Sequence, residues 1–506
     1  MRHIRRHRVL PAPSYDLEGT TVTAVEQDTR YEAVIGLEVH VELSTRTKMF
    51  CGCATDFGGQ PNTRTCPVCL GQPGSLPVTN ARAVEYAIKL GLALQCEVEP
   101  TSQFHRKNYF YPDMPKNYQI SQYDVPICTG GHLDVETPEG VHRVGITRVH
   151  MEEDTGKSLH VGATGRIHGA DYSLVDYNRA GIPLLEVVSE PDIRSSTEAR
   201  AYLTELQAIV LALGISDAKL EEGSMRCDAN ISVRPAGETA FGTRVEVKNM
   251  NSVRSLGRAI EYEISRQIGL LEAGEPVVQE TRHWDEDAGR TSTLRVKETT
   301  EDYRYFPDPD LVVLEPDPAW VAELRAALPE LPALTRRRLA ETYQLTSEQV
   351  STLLEGGLVE VLVDAVAAGA RAGEAANWLV NDVTSWRNEH GSAALTGAQL
   401  AELIALVRDG TLSTKLARQV LTDVLEGHGD PGNVARRRGF QQISDEGELS
   451  RIIDQVIASQ ADVAERVRQG NTKAVGALVG AVMRASQGKA NPQLVNRLLS
   501  ERLGIS

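Results

Sequence analysis

Three stretches in the first half of the chain alternate apolar and polar residues with period two. Leu37, Val39, Val41 and Leu43 interleave with Glu38, His40 and Glu42; Cys227, Ala229, Ile231 and Val233 with Arg226, Asp228 and Asn230; Val245 and Val247 with Arg244, Glu246 and Lys248. Successive side chains of a strand point to opposite faces, so each stretch offers one face to a core and one to polar contacts. Two amphipathic helices are set among them. Ser195 and Glu198 form a capping-box pattern ahead of Leu203, Leu206, Val210 and Leu213, with Gly214 as the stop. Val253, Leu256, Ile260, Ile264, Ile268 and Leu271 mark one face of the second helix. Half-solvated strands with a few long helices predict an α+β domain built on an antiparallel sheet.

The polar faces carry unusual residues. Asp and Asn are poor strand formers, so Asp228 and Asn230 are unexpected there, as is His40. Glu38 and His40, two residues apart, project from one side about 6–7 Å apart along the strand and suit a divalent cation; a solvated face with a satisfied histidine is the alternative. The run through Val144 and Ile146 ends in Glu152-Glu153-Asp154 ahead of Thr155-Gly156-Lys157. Carboxylates at a strand end suit Mg²⁺, which leaves positions for water and phosphate oxygens, although an acidic turn is common in isolation. Glu186 sits inside Leu184, Leu185, Val187 and Val188, where a buried acid must be paired or metal-bound. No Gly-x-x-x-x-Gly-Lys-[Ser/Thr] loop occurs. Composition and spacing alone stop at an α+β metal-dependent enzyme, with phosphoryl transfer among the chemistries open to it.

Four of the seven cysteines, Cys51, Cys53, Cys66 and Cys69, fall together as Cys-x-Cys and Cys-x-x-Cys in Gly- and Pro-rich turns. Four thiolates suit tetrahedral Zn²⁺, and a set with no open position makes the ion structural.

At 506 residues, 41% hydrophobic and 24% charged, the chain has room for two to four soluble domains. No apolar run approaches the roughly 20 residues that span a bilayer, so no membrane is expected. Residues 1–30 hold Arg2, Arg5, Arg6 and Arg8 but also Asp16, Glu18, Glu26 and Asp28, and no apolar stretch. They read as a disordered leader rather than a targeting segment, which makes the protein cytoplasmic. A net charge of -16 weighs against a broad nucleic-acid face, so any RNA contact must be local. The strand-rich zone covers residues 31–318, an Ala- and Leu-rich helical zone 319–428, and a small helical module 429–506, with Gly427–Gly432 as linker. From Gly432 onward the charge is +4. Arg436, Arg437, Arg438, Lys473, Arg484, Lys489 and Arg497 are candidates for phosphate contact.

Several blocks together resemble the B-subunit family of the bacterial Asp/Glu-tRNA amidotransferases (GatB). They are Val34–Leu43, Arg106–Asp113, His150–Lys157, Glu221–Asn230, Lys248–Ser252, Asp302–Pro307 and Gly488–Pro492, and the likeness covers about Tyr31 to Ser506. The resemblance implies a cradle (kinase and transamidase) domain, a helical domain and a YqeY-like tRNA-binding tail. It also implies ATP-dependent activation of the side-chain carboxylate of misacylated Glu-tRNA(Gln) or Asp-tRNA(Asn), then amidation by ammonia from a glutaminase partner. The implied partners, joined with this chain in a heterotrimer, are an amidase (GatA-type) and a small linking protein (GatC-type). By position, Glu38, His40, Glu153 and Glu186 correspond to the Mg²⁺ set, Asp228 to a polar residue where ammonia emerges, and Lys107 and Tyr109 to the tunnel end. Arg226, Asn230 and Lys248 are candidates to orient phosphate or the aminoacyl ester. The leader and the His160–Ala170 stretch, with Gly162, Gly165 and Gly169, depart from the family, the latter as a longer surface loop. No amidase Ser-Ser-Lys signature is present, so ammonia must come from a partner. Two rival readings are a zinc-stabilised RNA-binding scaffold and a stand-alone metal-dependent hydrolase.

Overall fold

The computed structural model describes residues 30–162, 170–296, 303–391, 394–440, 446–469, 474–486, 490 and 492–504. The leader up to residue 29, most of the predicted 160–170 loop, Lys473 and Lys489 lie outside the described residues. The chain divides into two compact units, one to Leu328 and one from Pro329. Among the described residues no helix is long and apolar enough to cross a membrane.

In the first unit the strands are β1 (Tyr31–Glu42), β2 (Glu97–Val98), β3 (His105–Asn108), β4 (Tyr118–Ser121), β5 (Cys128–Thr137), β6 (Gly140–Glu153), β7 (Lys157–Gly162), β8 (Ala170–Asp176), β9 (Pro183–Ser189), β10 (Met225–Pro235), β11 (Val245–Met250), β12 (Glu280–Asp285), β13 (Arg290–Val296) and β14 (Phe306–Pro307). Nine of them form one sheet in the order β13-β12-β11-β10-β1-β9-β6-β5-β2. A second sheet runs β14-β3-β4, and β7 pairs with β8. The large sheet is antiparallel except between β11 and β12, which are parallel. A parallel neighbour needs a long crossover, and the helix Val253–Glu272 supplies it.

Three helices matter here: α1 (Ala81–Ala93), α2 (Ser196–Ala212) and α3 (Val253–Glu272). Leu37, Val39, Val41, Ala229 and Ile231 are fully buried on the apolar face of β1 and β10, as are Tyr202, Leu203 and Leu206 of α2 and Leu256 and Ile260 of α3. Each of the Leu, Val and Ile side chains contributes about 1.5–3 kcal/mol. Ser195 caps α2 by accepting from the Glu198 amide at 3.1 Å, while Glu198 accepts from the Arg194 amide at 2.8 Å, one residue earlier than a capping box places it. Gly214, at φ +64°, follows the last turn. On α3 the buried stripe turns away from the expected one: Ile264, Ile268 and Leu271 stay partly exposed, and Glu263 and Gln267 are buried. Glu263 is neutralised by Arg266 at 2.6 Å, which makes its burial tolerable.

The second unit is helical and has two apolar clusters. One runs from Leu339 to Ala435 with Phe440 against it, the other from Leu449 to Leu503. The break therefore falls after the Gly427–Gly432 stretch: Asp430 precedes the helix Pro431–Arg437, whose Val434 and Ala435 join the first cluster. Leu449, Ile453, Val456, Leu478 and Val482 are among those that build the second. Of the basic candidates, Arg438 pairs with Asp423 at 2.6 Å, Arg497 pairs with Glu446, and Arg437 donates to the His428 carbonyl at 3.1 Å.

Candidate active site and metal centres

Register decides which polar side chains meet. His40 lies opposite Glu186 on one side and Arg226 on the other, Glu38 opposite Asp228, His150 opposite Glu186, and Asn230 opposite Glu246. Directly opposed residues share a face, so five adjacent strands (β11, β10, β1, β9, β6) present their polar groups on one surface of the sheet. The helices cover the other.

Two ligand sets form there. In the first, His40 Nε2 lies 3.4 Å from Glu152 and 3.5 Å from Glu186. His150 Nε2 donates to Glu186 at 3.0 Å while its Nδ1 accepts from Arg148 at 3.2 Å. In the second, carboxylate oxygens of Glu38, Asp228 and Glu246 lie within 4.8 Å of one another. Asn230 is 8% exposed. Its Nδ2 donates to Glu38 at 2.9 Å, and its buried Oδ1 has no hydrogen-bond partner among the described residues. Lys248 pairs with Asp228 and lies 3.2 Å from Glu246.

Crowded carboxylates in a low-dielectric site raise one another's proton affinity or recruit cations. Burial, then Glu186 and Glu246, push the Glu38 carboxyl up. Burial opposes charge on His40, but Glu186 and Glu152 outweigh it and raise the imidazole to about 9. Glu186 is held well below the carboxylate range because His150 and His40 overcome its burial. Burial acts against the Lys107 charge as well, yet Tyr305, Glu152 and Tyr109 raise its pKa. Oxygen-rich sets of this spacing, with an orphaned amide oxygen beside one of them, fit a hard divalent cation such as Mg²⁺.

The remaining site candidates fall around this surface, with one exception. Lys107 stands 4.9 Å from the Tyr303 ring and 5.8 Å from that of Tyr109, whose hydroxyl donates to Gln119 at 3.5 Å. Arg226 pairs with Asp154 at 2.6 Å and approaches Glu42 at 3.6 Å, so its charge is already matched. Glu153 is the exception: it turns to the opposite face, paired with Lys116 and accepting from the Ile120 amide at 2.9 Å. Glu152 takes the place expected of Glu153, and the expected single set of Glu38, His40, Glu153 and Glu186 separates into two. Sequence reasoning does not single out His150, Glu246 or Lys116, and it names Glu152 only within the acidic run Glu152-Glu153-Asp154. His150 and Glu152 share parity, the one signal that pairs them.

Beside Glu38 and Asn230 opens a cavity of about 260 Å³, walled by Gly36, Val188, Phe241 and Arg244. On the far side of the sheet lie the four cysteines, whose sulfurs all fall within 4.8 Å of one another, with Cys66 and Cys69 Sγ 3.9 Å apart. Tetrahedral Zn–S bonds of about 2.3 Å place sulfurs at nearly this spacing, so the cluster fits zinc. A hydrogen bond with Cys51 holds the Cys69 thiol down at about 5, while burial, with Cys66, pushes Cys53 up to about 11.

Residues 33–322 match the family described as the GatB/GatE catalytic domain, and residues 360–503 that described as the GatB domain. The chain belongs to the GatB family. Relatives named as the B subunit of aspartyl/glutamyl-tRNA(Asn/Gln) amidotransferase carry the likeness over nearly the whole chain. That of Thermobifida fusca (strain YX) is 56% identical over 490 residues, 94% of this chain and 95% of the relative. That of Salinispora arenicola (strain CNS-205) is 53% identical over 495 residues, 96% and 99%. That of Moorella thermoacetica is 52% identical over 478 residues, 94% and 100%. Both ligand sets, the cavity beside Glu38 and the four cysteines lie within the GatB/GatE catalytic match.

Proposed function

We propose that this GatB chain activates the side-chain carboxylate of misacylated Glu-tRNA(Gln), Asp-tRNA(Asn) or both with ATP, and then amidates it. The carrying observation is the convergence of His40, Glu152, Glu186, Glu38, Asp228 and Glu246 on one sheet surface, with Lys107 and Lys248 beside them. A carboxylate resists attack by ammonia. In the reading favoured here its oxygen attacks the γ-phosphorus and the bond to the β-phosphate breaks, releasing ADP. Ammonia then attacks the carbonyl carbon of the acyl phosphate, inorganic phosphate departs with the C–O bonding pair, and the proton that the nitrogen sheds ends on the phosphate. Mg²⁺ held by the two sets supplies charge neutralisation for the phosphoryl group. Lys248 and Lys107 add fixed positive charge, and Asn230 holds Glu38 in place. The apolar wall of the cavity beside Glu38, with Phe241 at its rim, suits the nucleoside of ATP.

Ammonia on this reading comes from the amidase partner acting as glutaminase, with the small linking protein completing a cytoplasmic heterotrimer. The helical region whose cluster runs from Leu339 to Ala435 and the tail whose cluster runs from Leu449 to Leu503 serve the tRNA body, and the four cysteines carry structural zinc. The test is reconstitution with the amidase partner: Gln-tRNA or Asn-tRNA forms only with ATP, Mg²⁺ and an ammonia donor. Equal product without ATP overturns the assignment, and trials with each misacylated tRNA identify the substrate.

A further inference from the structure

Lys48 is buried to 1% exposure, an unusual place for an ammonium. Its Nζ lies 3.8 Å from the Cys69 sulfur and donates to the carbonyl of Tyr177 at 3.2 Å. Zinc bound by four thiolates keeps two net negative charges, which in a half-buried pocket call for a nearby cation. The segment around Lys48 is also fastened at both ends. The Lys48 amide donates to the Cys53 carbonyl at 3.0 Å, and the Met49 amide to the Gly181 carbonyl at 2.8 Å. Gly181, at φ +88°, brings the backbone so close that a Cβ there would stand 3.4 Å from Lys48 Cδ and 3.5 Å from Cys69 Cβ. The turn from Tyr177 to Ile182 leads directly into β9, the strand that carries Glu186. It is held to β6 by Gly181 N to Asp154 O at 2.9 Å and Asp154 N to Ile182 O at 2.8 Å.

We propose that Lys48 is a positioning residue of the zinc centre, which offsets the charge of the thiolate cluster at Cys69 and ties the centre to the turn that delivers β9. The proposal rests on the zinc reading above. It extends that reading: metal occupancy on one side of the sheet steadies the segment that feeds the ligand surface on the other.

The experiment uses the full chain as Lys48→Met, which removes charge and hydrogen bond, and Lys48→Gln, which keeps a donor without the charge. Zinc transfer to a chromophoric chelator is followed for each. Outer partners of metal ligands are worth about 10–100-fold in affinity, so Lys48→Met should release zinc at least about 10-fold faster, with Lys48→Gln between it and wild type. In the Co²⁺-substituted proteins the thiolate-to-metal charge-transfer band should move to lower energy in Lys48→Met, because the N–H to sulfur bond is gone; a change in packing alone leaves it in place. Amide exchange over residues 177–182 should rise on zinc removal from wild type and already be raised in zinc-bound Lys48→Met. Wild-type release and an unmoved band in both variants overturn the role of Lys48, and unchanged exchange overturns the tie to β9. A wild-type chain that retains less than one zinc overturns the zinc reading, and the proposal with it.

Discussion

Glu152 and Glu153 are adjacent in sequence and face opposite sides of the sheet, so their variants should fail in different ways. Both are 3% exposed, but Glu152 reaches His40 on the polar face at 3.4 Å, whereas Glu153 is matched by Lys116. Glu152→Gln keeps the size of the side chain and should lower amidation by the reconstituted complex about 10²–10³-fold, the usual loss for a charge-stabilising group. Glu153→Ala strands a buried ammonium and should cost about 3–5 kcal/mol of stability, measured by urea titration. Identical behaviour of the two variants would contradict their separation. At the second ligand set, Asp228→Asn should raise the Mg²⁺ concentration needed for half-maximal rate, because it removes one anionic ligand and leaves Lys248 facing Glu246 alone.

The strands owe their polar surface to two irregularities. Counting by two from the buried Val144 and Ile146 puts Glu153 with the polar residues. A bulge between Ile146 and Arg148 reverses the parity, so that Val149 and Met151 join the apolar face and His150 and Glu152, themselves 3% exposed, join the polar one. A second shift between Cys227 and Ala229 accompanies Asn249 at φ +72° and lets Lys248 reach back to Asp228. Helix ends obey simpler rules. Gly214 follows α2 at φ +64° with open space around its missing Cβ, so Gly214→Ala carries only backbone cost, about 1–2 kcal/mol, read from the shift of the denaturation midpoint. Asn80 caps α1 by accepting from Arg82 at 2.9 Å and donates to the Thr47 carbonyl at 3.0 Å, beside the zinc segment. Asn80→Ala should therefore cost about 1 kcal/mol as a lost cap and also quicken zinc release.

Each of the two units buries its own apolar side chains and is expected to melt as a cooperative unit. Scanning calorimetry of the full chain should resolve two transitions, and chelation of zinc should lower only the one belonging to residues 30–328. A single transition that moves as a whole would contradict independent cores. At this scale much was legible from residues alone. Period-two alternation marked β1, β10 and β11; Ser195 and Gly214 marked the ends of α2; the paired cysteines marked a four-sulfur cluster; and long motif blocks marked the family. These are local signals, set by the geometry of a strand, a helix end or a short loop, and they survive without knowledge of neighbours. Which acids meet, by contrast, depends on strand order, on bulges and on which face the helices cover. Period and composition therefore identified carboxylates suited to a cation, while only the assembled sheet chose Glu152 over Glu153, brought Glu246 from β11 to Glu38 on β1, and set Lys48 against Cys69.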